Sequence, residues 1–325
     1  MKPLRIGLIG TGKHGSRYAR HLRTDLAGEV QLVAIARRNV EEGRRQAAEL
    51  GCRYYADYGE LIASKQVDAV IVVVPPTLHR RICEDVAAWR KPVLFEKPAS
   101  TSVADARAML ASVAAAGIQA MVAQTLRYNA VVRALCVALP SIGSLHALRL
   151  SQRFEPSPLG WIDDPEISGG GMILHTGVHS FDLARLFSGR EAATACCDAA
   201  HVVTEVTEDN WTAHLRFDGG MLVSIAGSRA TKGRTGAIEI AGADGLLLGD
   251  HVLGSAARVV GTTLTPLAVA PVAGTLPDVV REFAAAVAGE RPVPIPLLEG
   301  ARAVALAEAC YRALREHRSV DVERL

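Results

Sequence analysis

Gly10-Thr11-Gly12-Lys13-His14-Gly15 lies between an apolar segment, Leu4 to Ile9, and a segment with a helical pattern, Ser16 to Leu22. A strand, a glycine turn and a helix in this order are the context that a dinucleotide-binding fingerprint needs. Gly10 permits the tight turn, Gly12 lets backbone N–H groups approach a pyrophosphate, and Gly15 lets the helix pack on the strand. The N-terminus of the helix then offers unpaired N–H groups to the phosphates. The sequence therefore predicts nucleotide binding by the whole stretch Gly10, Thr11, Gly12, Lys13, His14 and Gly15.

Length and composition predict a globular protein of two domains. The chain has 325 residues, of which 49% are hydrophobic and 22% are charged, and its formal net charge is +2. No basic run stands out, which argues against nucleic acid as a partner. The apolar segment that begins at Leu4 leaves no room for a signal peptide, so we expect a cytoplasmic protein with reduced cysteines and no membrane partner. The longest uncharged stretch, from Val259 to Pro277, contains three prolines and predicts strands and turns.

The first 120 or so residues alternate apolar runs with helical patterns. The predicted strands are 4–9, 30–35, 69–74, 92–95 and 119–122, and the predicted helices are 16–22, 40–50, 78–89 and 102–116. This alternation indicates a parallel sheet covered by helices on both faces, with right-handed crossovers. Ligands of such sheets bind beyond the C-terminal strand ends. Segments 10–15, 75–79 and 96–98 should therefore surround one crevice together with Arg37.

The pattern changes after about residue 123. The predicted helices are 130–139, 178–187 and 299–317, and the predicted strands are 145–154, 211–217, 221–227, 237–241 and 246–248. Turn signals such as Asp218-Gly219-Gly220 separate the later strands, which favours an antiparallel or mixed sheet. We therefore predict an α/β fold, with a doubly wound parallel Rossmann sheet in residues 1–123 and an α+β domain in residues 124–325. Adjacent Cys196 and Cys197 should face opposite sides of a strand.

Arg37 and Arg38 close the second predicted strand, where an NAD-preferring site would carry an acidic residue for the ribose hydroxyls. A guanidinium at this place would instead pair with a 2′-phosphate and stack on adenine. The sequence thus predicts a preference for NADP(H), with NAD(H) as the other cofactor that the fingerprint admits. The alternative is that both arginines are solvated loop residues.

Glu96-Lys97-Pro98 directly follows a buried predicted strand. An ammonium group at this strand end faces the crevice, where it can hydrogen-bond a substrate oxygen and stabilise charge that develops on it. The alternative is a surface lysine paired with the neighbouring Glu96.

His175 and His179 are four residues apart, and Asp182 follows three residues later. On a helix this spacing would put all three side chains on one face. The spacing admits zinc, but no third ligand is signalled, so we predict no metal site. Proton transfer fits better, because histidine titrates near neutral pH. Asp182 could fix a histidine tautomer, cap a helix or pair with Arg185.

Several further motifs occur in a characteristic order. They are Pro75-Pro76-Thr77-Leu78-His79, Glu96-Lys97-Pro98, Arg127-Tyr128-Asn129, Ile142-Gly143-Ser144-Leu145, Gly169-Gly170-Gly171, Gly177-x-His179-x-x-Asp182, Glu208-Asp209-Asn210 and Gly242-x-x-Gly245. With the glycine fingerprint, they make the chain resemble the Gfo/Idh/MocA oxidoreductase family over nearly its whole length. The resemblance implies a second domain with a large, open, mostly antiparallel sheet, whose outer face would form a homodimer or homotetramer. It also implies reversible hydride transfer between a nicotinamide and a sugar, cyclitol or related polyol.

The resemblance also implies roles for particular residues. Lys97 matches the family's substrate-contacting lysine, the peptide bond before Pro98 is often cis in relatives, and His179 matches the catalytic histidine. Glu96 and His79 would line the site, with Arg127 and Trp161 at its rim. His175 departs from the family, since many relatives carry Asp there; it would orient the substrate or replace His179 as the base. A non-catalytic NADP(H)-binding sensor of the same fold is the alternative function, and a metal-dependent hydrolase is the weakest one.

Overall fold

The structure is a computed structural model that describes residues 2–271 and 274–325. Its residues form two compact units. The first consists of Met1–Gln124 with Gly274–Ala301, and the second of Thr125–Ala273 with Arg302–Leu325. The sequence predicts two continuous domains, 1–123 and 124–325, whereas the first unit takes in a late segment of the chain.

The first unit is built on a parallel sheet. Its described strands are β1 (Leu4–Ile9), β2 (Val30–Ala36), β3 (Arg53–Tyr55), β4 (Ala69–Val72), β5 (Val93–Phe95) and β6 (Ala120–Val122), in the order β3-β2-β1-β4-β5-β6. Every neighbouring pair runs parallel. β4, β5 and β6 are apolar and buried throughout, as expected when helices cover both faces of the sheet. The predicted doubly wound Rossmann sheet is confirmed.

Helices connect these strands and are bounded by local signals. They are α1 (Gly15–Arg23), α2 (Val40–Leu50), α3 (Tyr58–Ala63), α4 (His79–Ala88) and α5 (Val103–Ala116). Asn39 caps α2 by accepting the N–H of Glu42 at 3.0 Å, and Ser102 caps α5 by accepting the N–H of Asp105 at 3.1 Å. Gly51 ends α2 with φ of 61°, a conformation that glycine adopts without penalty.

The second unit is built on a nine-stranded sheet, counted over the described residues. Its elements in chain order are α6 (Ala130–Ala138), β7 (Leu145–Arg153), α7 (Pro165–Ser168), α8 (Val178–Ser188), β8 (Ala192–Ala200), β9 (Asn210–Phe217), β10 (Leu222–Ser228), β11 (Thr235–Gly242), β12 (Gly245–Asp250), β13 (Ser255–Val260), β14 (Thr263–Pro266) and β15 (Val320–Asp321). The strand order is β14-β13-β12-β11-β7-β10-β9-β8-β15. β7 and β10 pair in parallel and the other described neighbours are antiparallel, which confirms the predicted mostly antiparallel sheet.

Side chains alternate cleanly across this sheet. Leu148 and Leu150 of β7 are buried, whereas Arg149 between them is exposed. On β8, Cys196 is exposed and Cys197 is buried, so the predicted opposite orientation of the two thiols is confirmed. One face of the sheet therefore packs into the core, and the other is an open outer face.

The stretch from Val259 to Pro277 is only partly as predicted. β14 and the end of β13 lie in it, and residues 272 and 273 fall outside the described part of the chain. The prediction is wrong at its end, where α9 (Thr275–Val287) begins. Pro277 is the third residue of α9, and the first-turn N–H groups of a helix have no intrahelical partner, so proline costs little there.

The late segment of the first unit completes the sheet. α9 packs against α1, and the chain then passes along β6 before α10 (Leu297–Glu316). The Val122 N–H donates to the carbonyl oxygen of Ile295 at 3.1 Å, and Met121 forms a bridge with Pro296. Residues 295 and 296 thus cover the edge strand of the parallel sheet.

Candidate active site

The glycine loop joins the end of β1 to the start of α1. Gly10 has φ of +88°, and a Cβ there would lie 2.1 Å from the carbonyl oxygen of Val73. A Cβ on Gly15 would lie 2.0 Å from the carbonyl oxygen of Gly10. The geometry therefore requires glycine at both positions, at Gly10 for the turn and at Gly15 for the close packing of α1 on the loop.

Gly12 and Lys13 form the open tip of this loop. A Cβ on Gly12 would meet nothing within 4 Å, and Lys13 is exposed. Over the described ranges, the backbone N–H groups of Gly12 and Lys13 donate to no protein acceptor. Open space beside unpaired N–H groups at a helix N-terminus suits a phosphate group. These residues therefore fit the pyrophosphate of a nicotinamide dinucleotide.

Arg37 follows β2 and reaches the glycine loop. Its Nη1 donates to the carbonyl oxygen of Thr11 at 3.1 Å, and its Nη2 lies 3.7 Å from the Glu42 carboxylate. The hydroxyl of Tyr54 donates to the Arg37 carbonyl oxygen at 3.0 Å. Arg38 is exposed. The structure thus brings Arg37 to the loop and leaves Arg38 at the surface.

Glu96 follows β5, and its carboxylate is buried. Oε1 accepts hydrogen bonds from His14 Nε2 at 2.9 Å and from the Tyr18 hydroxyl at 2.6 Å, and Oε2 accepts the N–H of Lys97 at 3.0 Å. Burial raises the pKa of Glu96, but the hydrogen bond and charge of His14, the Lys97 charge and the Tyr18 hydroxyl outweigh it and lower the pKa to about 2. Glu96 is therefore an ionised link between the glycine loop and Lys97.

Lys97 itself is half-buried, and its peptide bond to Pro98 is cis, as the family resemblance implies. Pro75, predicted in the same crevice, precedes a short 3-10 turn at Pro76–Leu78.

His79 is fully buried at the start of α4. Its Nδ1 lies 3.1 Å from the carbonyl oxygen of Ala99, and its Nε2 lies 3.2 Å from that of Val74. Burial lowers the pKa of His79. The ring therefore lies between the segment after β4 and the segment after Pro98, where one of its nitrogens can donate a hydrogen bond, and it has no exposed surface in this structure.

The histidine segment of the second unit is not a regular α-helix. Residues Ile173–Gly177 form a π-helical turn, and α8 begins only at Val178. The helix predicted at 178–187 is confirmed, and it carries His179 and Asp182, whereas His175 lies before it in the π-turn and not on the same regular α-helix. Glu208 supports the turn, since its Oε1 accepts the Ile173 N–H at 2.8 Å and the Tyr311 hydroxyl at 2.8 Å.

His175 is buried within the π-turn. Its Nε2 lies 3.0 Å from the carbonyl oxygen of Ser168. Because a carbonyl oxygen only accepts, Nε2 of His175 carries a hydrogen. Trp161 packs edge-on against the imidazole, with the ring centroids 5.7 Å apart. The structure thus places two predicted site residues in contact and fixes one ring nitrogen of His175 as a donor.

Asp182 is paired with Arg127. Two hydrogen bonds of 2.8 and 2.6 Å join the Arg127 guanidinium to the buried Asp182 carboxylate. Arg185 pairs with Glu191 through two 2.7 Å contacts. His179, one turn before Asp182 on α8, is half-buried. The ion pair therefore anchors the helix that carries His179.

A cavity of about 180 Å³ lies within the second unit beside His175. Its lining residues are Pro156, Ser157, Leu159, Gly160, Ile162, Asp163, Met172, His175, Val203, Thr204, Thr207, Glu208, Asp209 and Arg229. A cavity of about 150 Å³ admits benzene, so this one admits a six-membered ring.

Comparison with known proteins now identifies the family. Residues 4–124 match the family model described as "Oxidoreductase family, NAD-binding Rossmann fold", and residues 137–248 match "GFO/IDH/MocA C-terminal domain". A 1,5-anhydro-D-fructose reductase of Ensifer adhaerens is 31% identical over 77% of this chain and 76% of its own. The chain belongs to the Gfo/Idh/MocA family of oxidoreductases.

Further relatives of this Gfo/Idh/MocA oxidoreductase match it over nearly its whole length. A myo-inositol 2-dehydrogenase of Thermotoga maritima is 28% identical, over 98% of this chain and 99% of its own. The crystal structure of a probable dehydrogenase from the same organism superposes with a TM-score of 0.85 at 27% identity, covering 98% of this chain and 99% of that one. The predicted family and enzyme class, an oxidoreductase of the dehydrogenase type, are confirmed.

Four residues that bond to the motifs of this Gfo/Idh/MocA oxidoreductase, two in each unit, do not stand out in its sequence. Gln46 accepts the Thr11 hydroxyl at 2.6 Å, and Tyr18 binds Glu96. In the second unit, Arg229 donates to the Thr176 hydroxyl, and the Tyr311 hydroxyl accepts the Gly171 N–H at 3.1 Å. Tyr18 lies four residues after His14, and that spacing could have indicated a shared partner. Gln46, Arg229 and Tyr311 reach their partners through tertiary structure.

Within residues 2–271 and 274–325, no helix combines the length and hydropathy needed to cross a membrane. Across the same residues, no three His, Cys, Asp or Glu side chains form a group that could hold a metal ion.

Proposed function

We propose that this oxidoreductase transfers a hydride between NADP(H) and an alcohol or carbonyl group of a sugar, cyclitol or polyol. The observation that carries the proposal is the buried Glu96, because it joins the phosphate-binding loop, through His14, to the backbone of Lys97. A dinucleotide loop and a cationic side chain are thereby held in one unit. The names of the inositol dehydrogenase and the anhydrofructose reductase support the substrate class.

The preference for NADP(H) over NAD(H) rests on Arg37. Its side chain is held at the loop by the Thr11 carbonyl oxygen, and the strand end carries no acidic residue before Glu41. A guanidinium at this place complements a 2′-phosphate through paired N–H donors. The Glu42 carboxylate lies 3.7 Å from the Arg37 guanidinium and competes with a 2′-phosphate for it, which reduces the preference for NADP(H).

We propose the following roles for the reacting side chains. The nicotinamide, when bound, supplies or accepts the hydride. The Lys97 ammonium donates a hydrogen bond to the reacting substrate oxygen and stabilises its developing negative charge. His179 exchanges the proton of that oxygen, because its side chain is only half-buried whereas that of His175 is buried. His175 orients the substrate.

Trp161 and Arg127 were both expected to border the substrate. Trp161 is half-buried and contacts His175, which supports a position beside the substrate. The Arg127 guanidinium is engaged by Asp182 on two nitrogens. We therefore propose that Arg127 acts mainly by fixing α8, which carries His179.

We also propose a homodimer or homotetramer formed through the outer face of the nine-stranded sheet. Arg149, His214 and Glu239 lie on this face together with the apolar Leu222. Leu222 is 54% exposed, so the face has apolar surface to bury.

A titration of the cofactor-stripped protein tests the function. NADPH and NADH are added separately, and binding is followed by nicotinamide fluorescence. We expect micromolar binding of NADPH and weaker binding of NADH, and then turnover with a member of a sugar and cyclitol panel. His179→Asn should lower turnover at least a hundredfold and remove a neutral-pH step from the rate profile, whereas His175→Asn should mainly raise KM. Cofactor binding without any turnover would favour the sensor function, and binding of neither cofactor would refute the proposal.

A further inference from the structure

Arg229 is a cation on the wall of the cavity beside His175. It follows β10, and its backbone N–H donates to the Asp209 carbonyl oxygen at 2.8 Å. Its Nε and Nη2 both donate to the Thr176 hydroxyl, at 3.2 and 3.0 Å. The guanidinium is thereby oriented by the π-turn that carries His175.

No carboxylate of the described residues lies within ion-pair distance of Arg229. Other arginines of the same unit have such partners: Arg127 pairs with Asp182, and Arg234 pairs with Glu155 at 2.6 Å. A hydroxyl group accepts a hydrogen bond but carries no charge to balance a guanidinium. Burial, and then the nearby charge of Arg234, lower the pKa of Arg229, yet an arginine stays protonated in proteins. Arg229 is thus a half-buried cation that forms no ion pair with a described carboxylate.

The acidic residues of the cavity wall are committed elsewhere. Asp163 accepts the N–H groups of residues 205, 206 and 207, and Asp209 accepts those of residues 202, 203 and 204. Glu208 supports the π-turn through Ile173 and Tyr311. These carboxylates organise the loops around the cavity, and none of them forms an ion pair with Arg229. They also disfavour a multiply charged anion, so a singly charged group fits the cavity best.

We infer that the substrate carries a carboxylate, which binds Arg229. The inference rests on the proposed function and names its substrate class, a sugar acid or a carboxylated cyclitol, with the acid group in the cavity beside His175. A guanidinium fork matches the two oxygens of a carboxylate. Thr204 and Thr207 line the same cavity, and because their hydroxyl hydrogens are donated to protein acceptors, their oxygens can accept hydrogen bonds from ring hydroxyl groups.

The test compares two ligands that differ at one carbon, methyl β-D-glucuronide and methyl β-D-glucoside. Neither has a carbonyl that the enzyme can reduce, so both can be titrated into the NADPH-loaded protein by calorimetry. We expect the glucuronide to bind at least tenfold more tightly, because a charge-assisted fork is worth about tenfold or more. Equal affinities, or failure of both ligands to bind, would overturn the inference. Tighter binding of the 6-phosphate of methyl glucoside would replace the carboxylate with a phosphate and overturn it as well.

Variants assign the effect to Arg229. Arg229→Met should raise the dissociation constant of the glucuronide at least tenfold and change that of the glucoside less than threefold. Arg229→Lys should have an intermediate effect on the affinity for the glucuronide. Arg234→Met is the matched control, since it removes a neighbouring positive charge from the surface and should preserve the preference. Thermal melting checks that each variant is folded. If NADPH itself does not bind, the proposed function fails; if NADPH binds and the preference for the acid is absent, only the present inference fails.

Discussion

His14 Nε2 lies 2.9 Å from Glu96 Oε1, although 82 residues separate them in sequence. The contact joins a loop after β1 to a loop after β5, and the Tyr18 hydroxyl reinforces it from α1. A buried carboxylate is stable as an anion only when donors surround it. The glycine loop and the Lys97 segment are therefore held together as one structural element.

The buried Glu96 carboxylate should contribute to the free energy of unfolding in a way that depends on pH. The pKa of Glu96 is lowered from its ordinary 4.5 to about 2, which corresponds to about 3 kcal/mol of unfolding free energy at neutral pH. Because the folded pKa is depressed, the contribution is fully present above about pH 4.5 and is lost as the pH falls toward 2. Urea unfolding of the protein and of Glu96→Gln at several pH values measures it.

The difference in unfolding free energy between the protein and Glu96→Gln should shrink as the pH falls below 4.5. The matched control is Glu29→Gln, which breaks an exposed ion pair with Arg281 and should cost less than 1 kcal/mol. A difference that is constant from pH 6 to pH 3 would contradict the assigned ionisation of Glu96.

Lys97→Met should lower turnover at least a hundredfold and change the NADPH dissociation constant little. The methionine preserves the aliphatic stem but cannot stabilise charge on the substrate oxygen. Steady-state kinetics and fluorescence titration measure the two quantities on the same preparation. Lys65→Met, at an exposed position, is the control. Unchanged turnover would remove Lys97 from the mechanism.

Arg37→Ala should raise the dissociation constant of NADPH about tenfold or more, because the 2′-phosphate loses a charged donor pair. The dissociation constant of NADH should change less than threefold. Arg38→Ala should leave both cofactors nearly unchanged, since its side chain is exposed. The measurement is the titration of both cofactors by fluorescence. Equal losses for NADPH and NADH in Arg37→Ala would mean that Arg37 only supports the Thr11 carbonyl.

Arg127→Met should destabilise the protein by about 3 kcal/mol, because it removes the bidentate partner of a buried carboxylate. Combining it with Asp182→Leu should restore part of that loss, since the buried charge is then removed as well. Chemical unfolding of the two single variants and the double variant gives the coupling energy. Additive losses would show that the pair contributes no net coupling, and a raised KM at unchanged stability would make Arg127 a substrate contact.

Local signals predicted the parallel sheet well. Each of the strands β1, β2 and β4 is a mostly apolar run of consecutive residues, and Gly10 marks the turn after β1. The sequence also indicated the glycines that end α2 and α5. β3 and α3 were not predicted, because segments of three and six residues carry too little periodicity. The strand of residues 192–200 was predicted only at Cys196 and Cys197 and not in its full extent, because alanine-rich sequence has weak strand propensity.

The candidate site was predictable as a set of residues but not as a set of contacts. Glycine and proline motifs located Gly10 and Lys97, since these residues mark special backbone geometry. The partners of His14, Asp182 and Arg229 lie 53 or more residues away in sequence. A single sequence carries no information about such pairs. The π-turn could not be predicted for the same reason, because Glu208 and Tyr311, which support it, are distant in sequence.

The cover that Ile295 and Pro296 give to β6 has a consequence for biosynthesis. Residues 125–273, which belong to the other unit, must be translated before this cover exists. At roughly 5–20 residues per second, a ribosome needs about 7–30 s for that stretch. During this interval the nascent Rossmann unit has an open strand edge, the kind of surface on which chains associate wrongly. The need of the nascent chain for chaperones should therefore depend on the time between the synthesis of the two segments that form its first unit.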